Sequence, residues 1–159
     1  MFEETLSLQR LGDTHRALLT DLRRLDDLAA DLGEVDDSES QALGEVLAFL
    51  RGRLEAHMEF EELVVYPVMA EEVGAAAPLE WMIEDHREIR RWVDELATRR
   101  AQLEAGEPAA SGQVRRALAV ISALVHLHLR KEEAAYAWLL ERRMHPRDLE
   151  HPRPSVFTI

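Results

Sequence analysis

The chain has 159 residues, enough for one domain with a substantial core. A net charge of −12 without any long Lys/Arg block argues against nucleic acid or anionic lipid as a partner, and the absence of cysteine excludes disulfides, thiolate metal sites and thiol nucleophiles. Seven glycines, six prolines and 6% aromatic residues, set among abundant Ala, Leu, Glu and Arg, favour helix over sheet.

Apolar residues at alternating steps of three and four predict four long helices, at about 4–32, 38–65, 78–105 and 112–141. The first carries a core stripe of Leu8, Leu11, His15, Leu18, Leu22, Leu25, Ala29 and Leu32, and Gly33 stops it. Ser38 offers an N-cap to the second, whose stripe runs Leu43, Leu47, Leu50, Leu54, His57, Glu61, Val64 and Val68, with Pro67 expected to interrupt it. After Gly74 and Pro78 comes a third stripe of Leu79, Met82, His86, Ile89 or Arg90, Val93 and Leu96. Gly106, Pro108 and Ser111–Gly112 separate it from the fourth, with Leu118, Ile121, Val125, His128, Glu132, Ala135 and Leu139. Short connections between long helices imply an all-α, up-down-up-down four-helix bundle over 1–143. Pro146, Pro152 and Pro154 imply an irregular tail over 144–159. No basic segment followed by an apolar run opens the chain and no stretch approaches membrane-spanning length, so a soluble, cytoplasmic protein with no membrane partner is expected.

Every stripe is apolar until it meets a histidine, and in two helices a glutamate follows one turn later: His57 then Glu61, His128 then Glu132. An unpartnered ionised glutamate costs several kcal/mol to bury. Counted from the connections at one end of the bundle, His15, His57, His86 and His128 all lie roughly 17–20 residues away, near 30 Å at the helical rise. Antiparallel packing then gathers four imidazoles and two carboxylates in one inward-facing layer. Nitrogen and oxygen donors without sulfur suit Fe, Mn or Zn, and two carboxylates among four histidines can bridge two cations, which would offset the burial cost.

The order His, HxxxE, His, HxxxE resembles the hemerythrin-like family, also called HHE cation-binding domains. The matching stretches are DTHRAL around His15, HMEFEELVVYP from His57, EDHREI around His86 and HLHLRKEE ending at Glu133, within roughly residues 8–140. The resemblance implies two iron ions: His15 and His57 as terminal ligands of one, His86 and His128 of the other, Glu61 and Glu132 bridging them with an oxo or hydroxo group. Oxygen-carrying hemerythrins have a further histidine one turn after the one matching His86. Arg90 stands there, and arginine does not ligate. Each metal then keeps two histidines and a more open coordination sphere, which argues against bulk O₂ carriage. A second departure is the continuation of the fourth helix as EEAAYAW.

Around the expected ligands, Glu62 and Glu133 are offset from the stripe and are read as partners behind the ligands or as solvated charges. Tyr66 is placed to cap the site or to pack, and Arg90 to reach the metal layer or turn its guanidinium to the bundle end. Glu84 and Asp85 are read either as acids of a helix's first turn or as orienting His86. His126 faces away from His128, and His145 and His151 are assigned no chemistry. Three functions remain open: a non-haem di-iron protein binding O₂, NO or peroxide in redox or oxygen sensing or iron handling; a catalase-like di-iron enzyme; and a metal-free helical interaction module.

Overall fold

The structure, a computed structural model, describes residues 2–31, 37–73, 77–107 and 109–144, with side chains described for 11–30, 39–71, 79–107 and 109–138. All regular structure among them is helical. The first helix is Phe2–Asp31, the third Ala77–Glu104 and the fourth Ala110–Met144. The second is a composite in which α-helical Asp37–Phe49, Glu55–Phe60 and Tyr66–Val73 are joined by π-helical turns at Leu50–Leu54 and Glu61–Val65. The third packs on the fourth, the fourth on the first, and the second on both the first and the third. No helix among the described residues is long and apolar enough to cross a membrane.

Local sequence accounts for most of these boundaries. The third helix ends in a Schellman turn: Gly106 takes a φ of +79°, its N–H bonds the carbonyl of Leu103, and the N–H of Glu107 reaches back to Gln102. Glycine supplies that backbone angle without a Cβ clash. Ser111 and Gly112, expected in the connection, are instead helical, because the turn closes earlier with Ala110 N–H on the Glu107 carbonyl. Ser38 is inside the second helix, which begins at Asp37. Gly33, Gly74, Pro108 and the tail beyond Met144 lie outside the described residues, as do the side chains of Leu8, Leu32 and Leu139.

The second helix departs most from the expected pattern. Its helical run does not stop at Pro67 but continues to Val73. Pro67 falls in the first turn of the α segment after a π turn, where a missing N–H is tolerated. Val64 and Val68, assigned to the core, are 47% and 51% exposed, and Val65, Tyr66 and Met69 are buried in their place. The cause is the π turn: the N–H of Tyr66 bonds the carbonyl of Glu61, five residues back rather than four. One extra residue per turn moves the apolar stripe on by one position.

Burial divides into two clusters. The larger includes Leu18, Leu22, Leu25, Leu50, Leu54, Ile89, Leu118, Ile121 and Val125, all at most 1% exposed. The smaller consists of Leu11, Val65, Tyr66, Met69, Leu79, Met82 and Tyr136. Each such side chain contributes about 1.5–3 kcal/mol when buried. What separates the clusters is the polar layer, with His15 between Leu11 and Leu18, and His86 between Met82 and Ile89.

Candidate metal centre

All six residues expected in the layer are brought together, and all are buried: His15, Glu61 and His86 fully, Glu132 and His128 to within 2%, and His57 to within 6%. Each histidine turns its Nε2 inward. His15 Nε2 lies 3.4 Å from Glu61 Oε1 and 3.5 Å from Glu132 Oε2, and His57 Nε2 lies 3.1 Å from Glu61 Oε1. His86 Nε2 is 3.6 Å from Glu61 Oε2, and His128 Nε2 is 3.4 Å from Glu132 Oε2. The imidazole rings pair edge to face, His15 with His57 at 5.0 Å and His86 with His128 at 4.4 Å.

These donor atoms are close without being satisfied. His57 Nε2, Glu61 Oε2 and Glu132 Oε2 are buried and have no partner in hydrogen-bonding geometry, despite neighbours at 3.1–3.6 Å. Lone pairs that converge on a common point rather than on each other's protons are what a cation requires. Ligands about 2.1 Å from an ion and at right angles lie about 3 Å apart, close to the spacing seen here. Two groups of donor atoms result, each within 4.8 Å of one another: His15, His57, Glu61 and Glu132, and Glu61, His86, His128 and Glu132. Both glutamates belong to both groups. The residues fit a pair of cations.

Residues 7–140 match the hemerythrin HHE cation-binding domain. The chain belongs to that family. No curated protein and no solved structure matches it. The fold and the His/Glu clusters together make this a hemerythrin-like, metal-binding helical domain.

Behind the imidazoles, the positioning residues are partly those expected. His86 donates its Nδ1–H to Glu62 Oε1 at 2.8 Å, and Arg90 Nη1 donates to the same oxygen at 2.8 Å. Burial raises the Glu62 carboxyl, but the bonds from Arg90 and His86 outweigh it and hold it below the usual range. Arg90 does not enter the layer. Ile89 takes the core position, while the Arg90 guanidinium sits at the edge between Glu62 and Glu55, its Nε 2.8 Å from Glu55 Oε1. Glu133 is exposed and joins none of these contacts: on a regular α-helix it is rotated about 100° from Glu132. His126 bonds within its own helix to Ser122.

Asp85, Lys131 and Tyr136 were not singled out by the sequence. Asp85 accepts from His128 Nδ1 at 3.3 Å and from Lys131 at 2.7 Å, so it orients His128 rather than its chain neighbour His86. Glu84 is exposed and pairs with Arg87. Two tyrosines close the layer on the side of the smaller cluster. Tyr66 O–H donates to Glu132 Oε1 in a short contact, and Tyr136 O–H lies 3.2 Å from Glu61 Oε1. Burial, together with the negative charge of Glu132 and Glu61, pushes both phenols far above their ordinary range, so they remain donors. A signal was present: a tyrosine stands one turn after each glutamate, in EELVVY and EEAAY.

In the metal-free layer, burial alone would lower His128, yet Asp85 and Glu132 raise it to about 9. Burial and the adjacent His128 lower His86. The proton between them, across 2.8 Å, therefore belongs to His128, which donates its Nε2–H to the His86 Nε2 lone pair. Burial raises Glu61, but His15 and His57 overcome it and bring the carboxyl down to about 2.

Proposed function

We propose that this chain is an up-down-up-down four-helix bundle holding two iron ions. His15 and His57 would be terminal ligands of one, His86 and His128 of the other, and Glu61 and Glu132 would bridge them. The observation that carries the reading is that both glutamates, fully buried, are shared by the two donor groups. When bound, an iron pair supplies reversible redox chemistry toward O₂, NO or peroxide. The residues of the chain hold its surroundings in place: Glu62 and Asp85 fix the His86 and His128 rings, and the smaller apolar cluster excludes water on one side. Tyr66 and Tyr136 keep their protons against the carboxylates. With Arg90 in place of a fifth histidine, sensing or iron handling fits this donor set better than bulk O₂ carriage. Mn or Zn suits the same donors.

Elemental analysis tests this. Protein from iron-supplemented cells should carry up to two irons per chain, with an optical spectrum that changes between anaerobic and oxidised states. Less than about 0.2 metal per chain after reconstitution rules the reading out, because the buried donors would then be stable without a cation. A peroxide-disproportionating enzyme is the second reading. It is favoured by the two tyrosine hydroxyls, which place proton donors in an otherwise apolar floor. Steady-state peroxide consumption separates it from a sensor. A metal-free interaction module leaves the orphaned Nε2 and Oε2 atoms without explanation.

A further inference from the structure

The two ends of the donor layer are not built alike. At one end the far nitrogen of each imidazole is held by a carboxylate that is itself held by a cation. His86 Nδ1 is 2.8 Å from Glu62, which takes Arg90 at 2.8 Å, and His128 Nδ1 is 3.3 Å from Asp85, which takes Lys131 at 2.7 Å. Arg90 is braced in turn by Glu55. At the other end, Nδ1 of His15 is buried without a partner. Its ring is positioned by packing alone, against the edge of His57 and, at 5.9 Å, against Tyr136.

An imidazole whose far N–H is already bonded has its tautomer and ring angle fixed before a metal arrives, and its Nε2 is more basic. Neither advantage is available to His15. Glu61 and Glu132 serve both ends and cannot produce a difference between them. We infer that the two metal positions differ in affinity, with the His86/His128 position filling first and holding tightest, and the His15/His57 position loading second and exchanging first. This rests on the two-cation reading above and adds an order and a direction to it. Losing one such partner behind a metal-bound histidine typically costs about 10–100-fold in affinity, so two partners at one end separate the steps by at least about tenfold.

The experiment is an anaerobic titration of the metal-free chain with Co²⁺ alone, followed by visible absorption and by NMR of the histidine rings. The first equivalent should shift the His86 and His128 resonances and leave those of His15 and His57 for the second. His15→Ala should keep the tight step and hold one ion per chain. Glu62→Ala and Asp85→Ala should each weaken the tight step by about 10–100-fold, and Glu62→Gln, which keeps an acceptor in place, should recover much of the loss. Circular dichroism of each metal-free variant checks that it folds, and the wild-type NMR assignment decides the matter without any variant. If the first equivalent shifts His15 and His57, or His15→Ala abolishes the tight step, the inference is overturned. Two ions entering in one step of equal affinity also overturn it while leaving the di-metal reading standing. No uptake of Co²⁺ overturns both.

Discussion

The hydroxyls of Tyr66 and Tyr136 meet on one atom, Oε1 of Glu132, from two different helices. Tyr66 makes the shorter contact, whereas Tyr136 stands 3.4 Å from that oxygen and divides itself with Glu61. A hydrogen bond to a charged acceptor contributes about 1.5–3 kcal/mol when its loss leaves the acceptor buried. Tyr66→Phe should therefore destabilise the metal-free protein by about that amount and Tyr136→Phe by less. Urea unfolding in the presence of a chelator measures both, and a larger loss from Tyr136→Phe would contradict the assignment of the closer donor.

The acidic residues next to the ligands should now separate into three classes. Glu61→Ala and Glu132→Ala each remove a donor common to both groups and should leave well under one metal per chain. Glu62→Ala should retain metal at reduced affinity, because it only orients His86. Glu133→Ala should resemble the wild type. Metal content after dialysis reads the series, and parity between Glu133→Ala and Glu132→Ala would mean the fourth helix is turned differently.

Arg90→His places an imidazole where oxygen carriers of the family have a ligand. The guanidinium lies outside the layer, paired to Glu55 and Glu62 across the third and second helices. The substitution should therefore not add a metal ligand, and X-ray absorption of the iron-loaded variant should count the same number of imidazoles as the wild type. Its effect should be indirect, through a Glu62 that has lost its cation and grips His86 less firmly. An added imidazole in the spectrum would show that the third helix rotates to admit it.

Stability of the metal-free chain should peak near pH 6–7. His128 is raised from 6.5 to about 9, so the stability it adds is complete below pH 6.5 and fades as pH rises through 9. Glu61 is lowered from 4.5 to about 2, and its contribution, complete above pH 4.5, is lost as pH falls through 2. Glu62 and Asp85, both lowered, act in the same direction as Glu61. His86, lowered from 6.5, opposes folding increasingly as pH drops below that value. Thermal melts in chelator across pH 4–10 test the dome. Metal uptake must also displace the His128 proton, so affinity should rise about tenfold per pH unit up to pH 9.

The six expected ligands were legible in the sequence because burying a charged layer is expensive, and only residues with a common purpose interrupt four apolar stripes at one depth. The offset partners were harder to place, for a geometric reason. Glu62 and Glu133 hold equivalent positions after their glutamates, yet one meets His86 across the helix interface and the other meets solvent. Asp85 sits beside one ligand in the chain and serves another 43 residues away. Which neighbour a side chain reaches depends on how helices are rotated against each other, and a one-helix period carries no such information. The π turns were invisible for a related reason: a pattern of threes and fours is read on the assumption of a regular α-helix.

The π turn at Glu61–Val65 makes the phase of one half of the second helix adjustable relative to the other. Deleting a single residue there would let the ladder close as ordinary α-helix and rotate everything beyond it by about 100°. Tyr66 would swing away from Glu132 while Val64 and Val68, now facing solvent, turned inward. His57 and Glu61, upstream of the turn, would stay put. The metal ligands and the phenol that closes the layer over them are thus carried on one helix yet can be inherited, lost or re-engineered separately, by a change of length rather than of residue type.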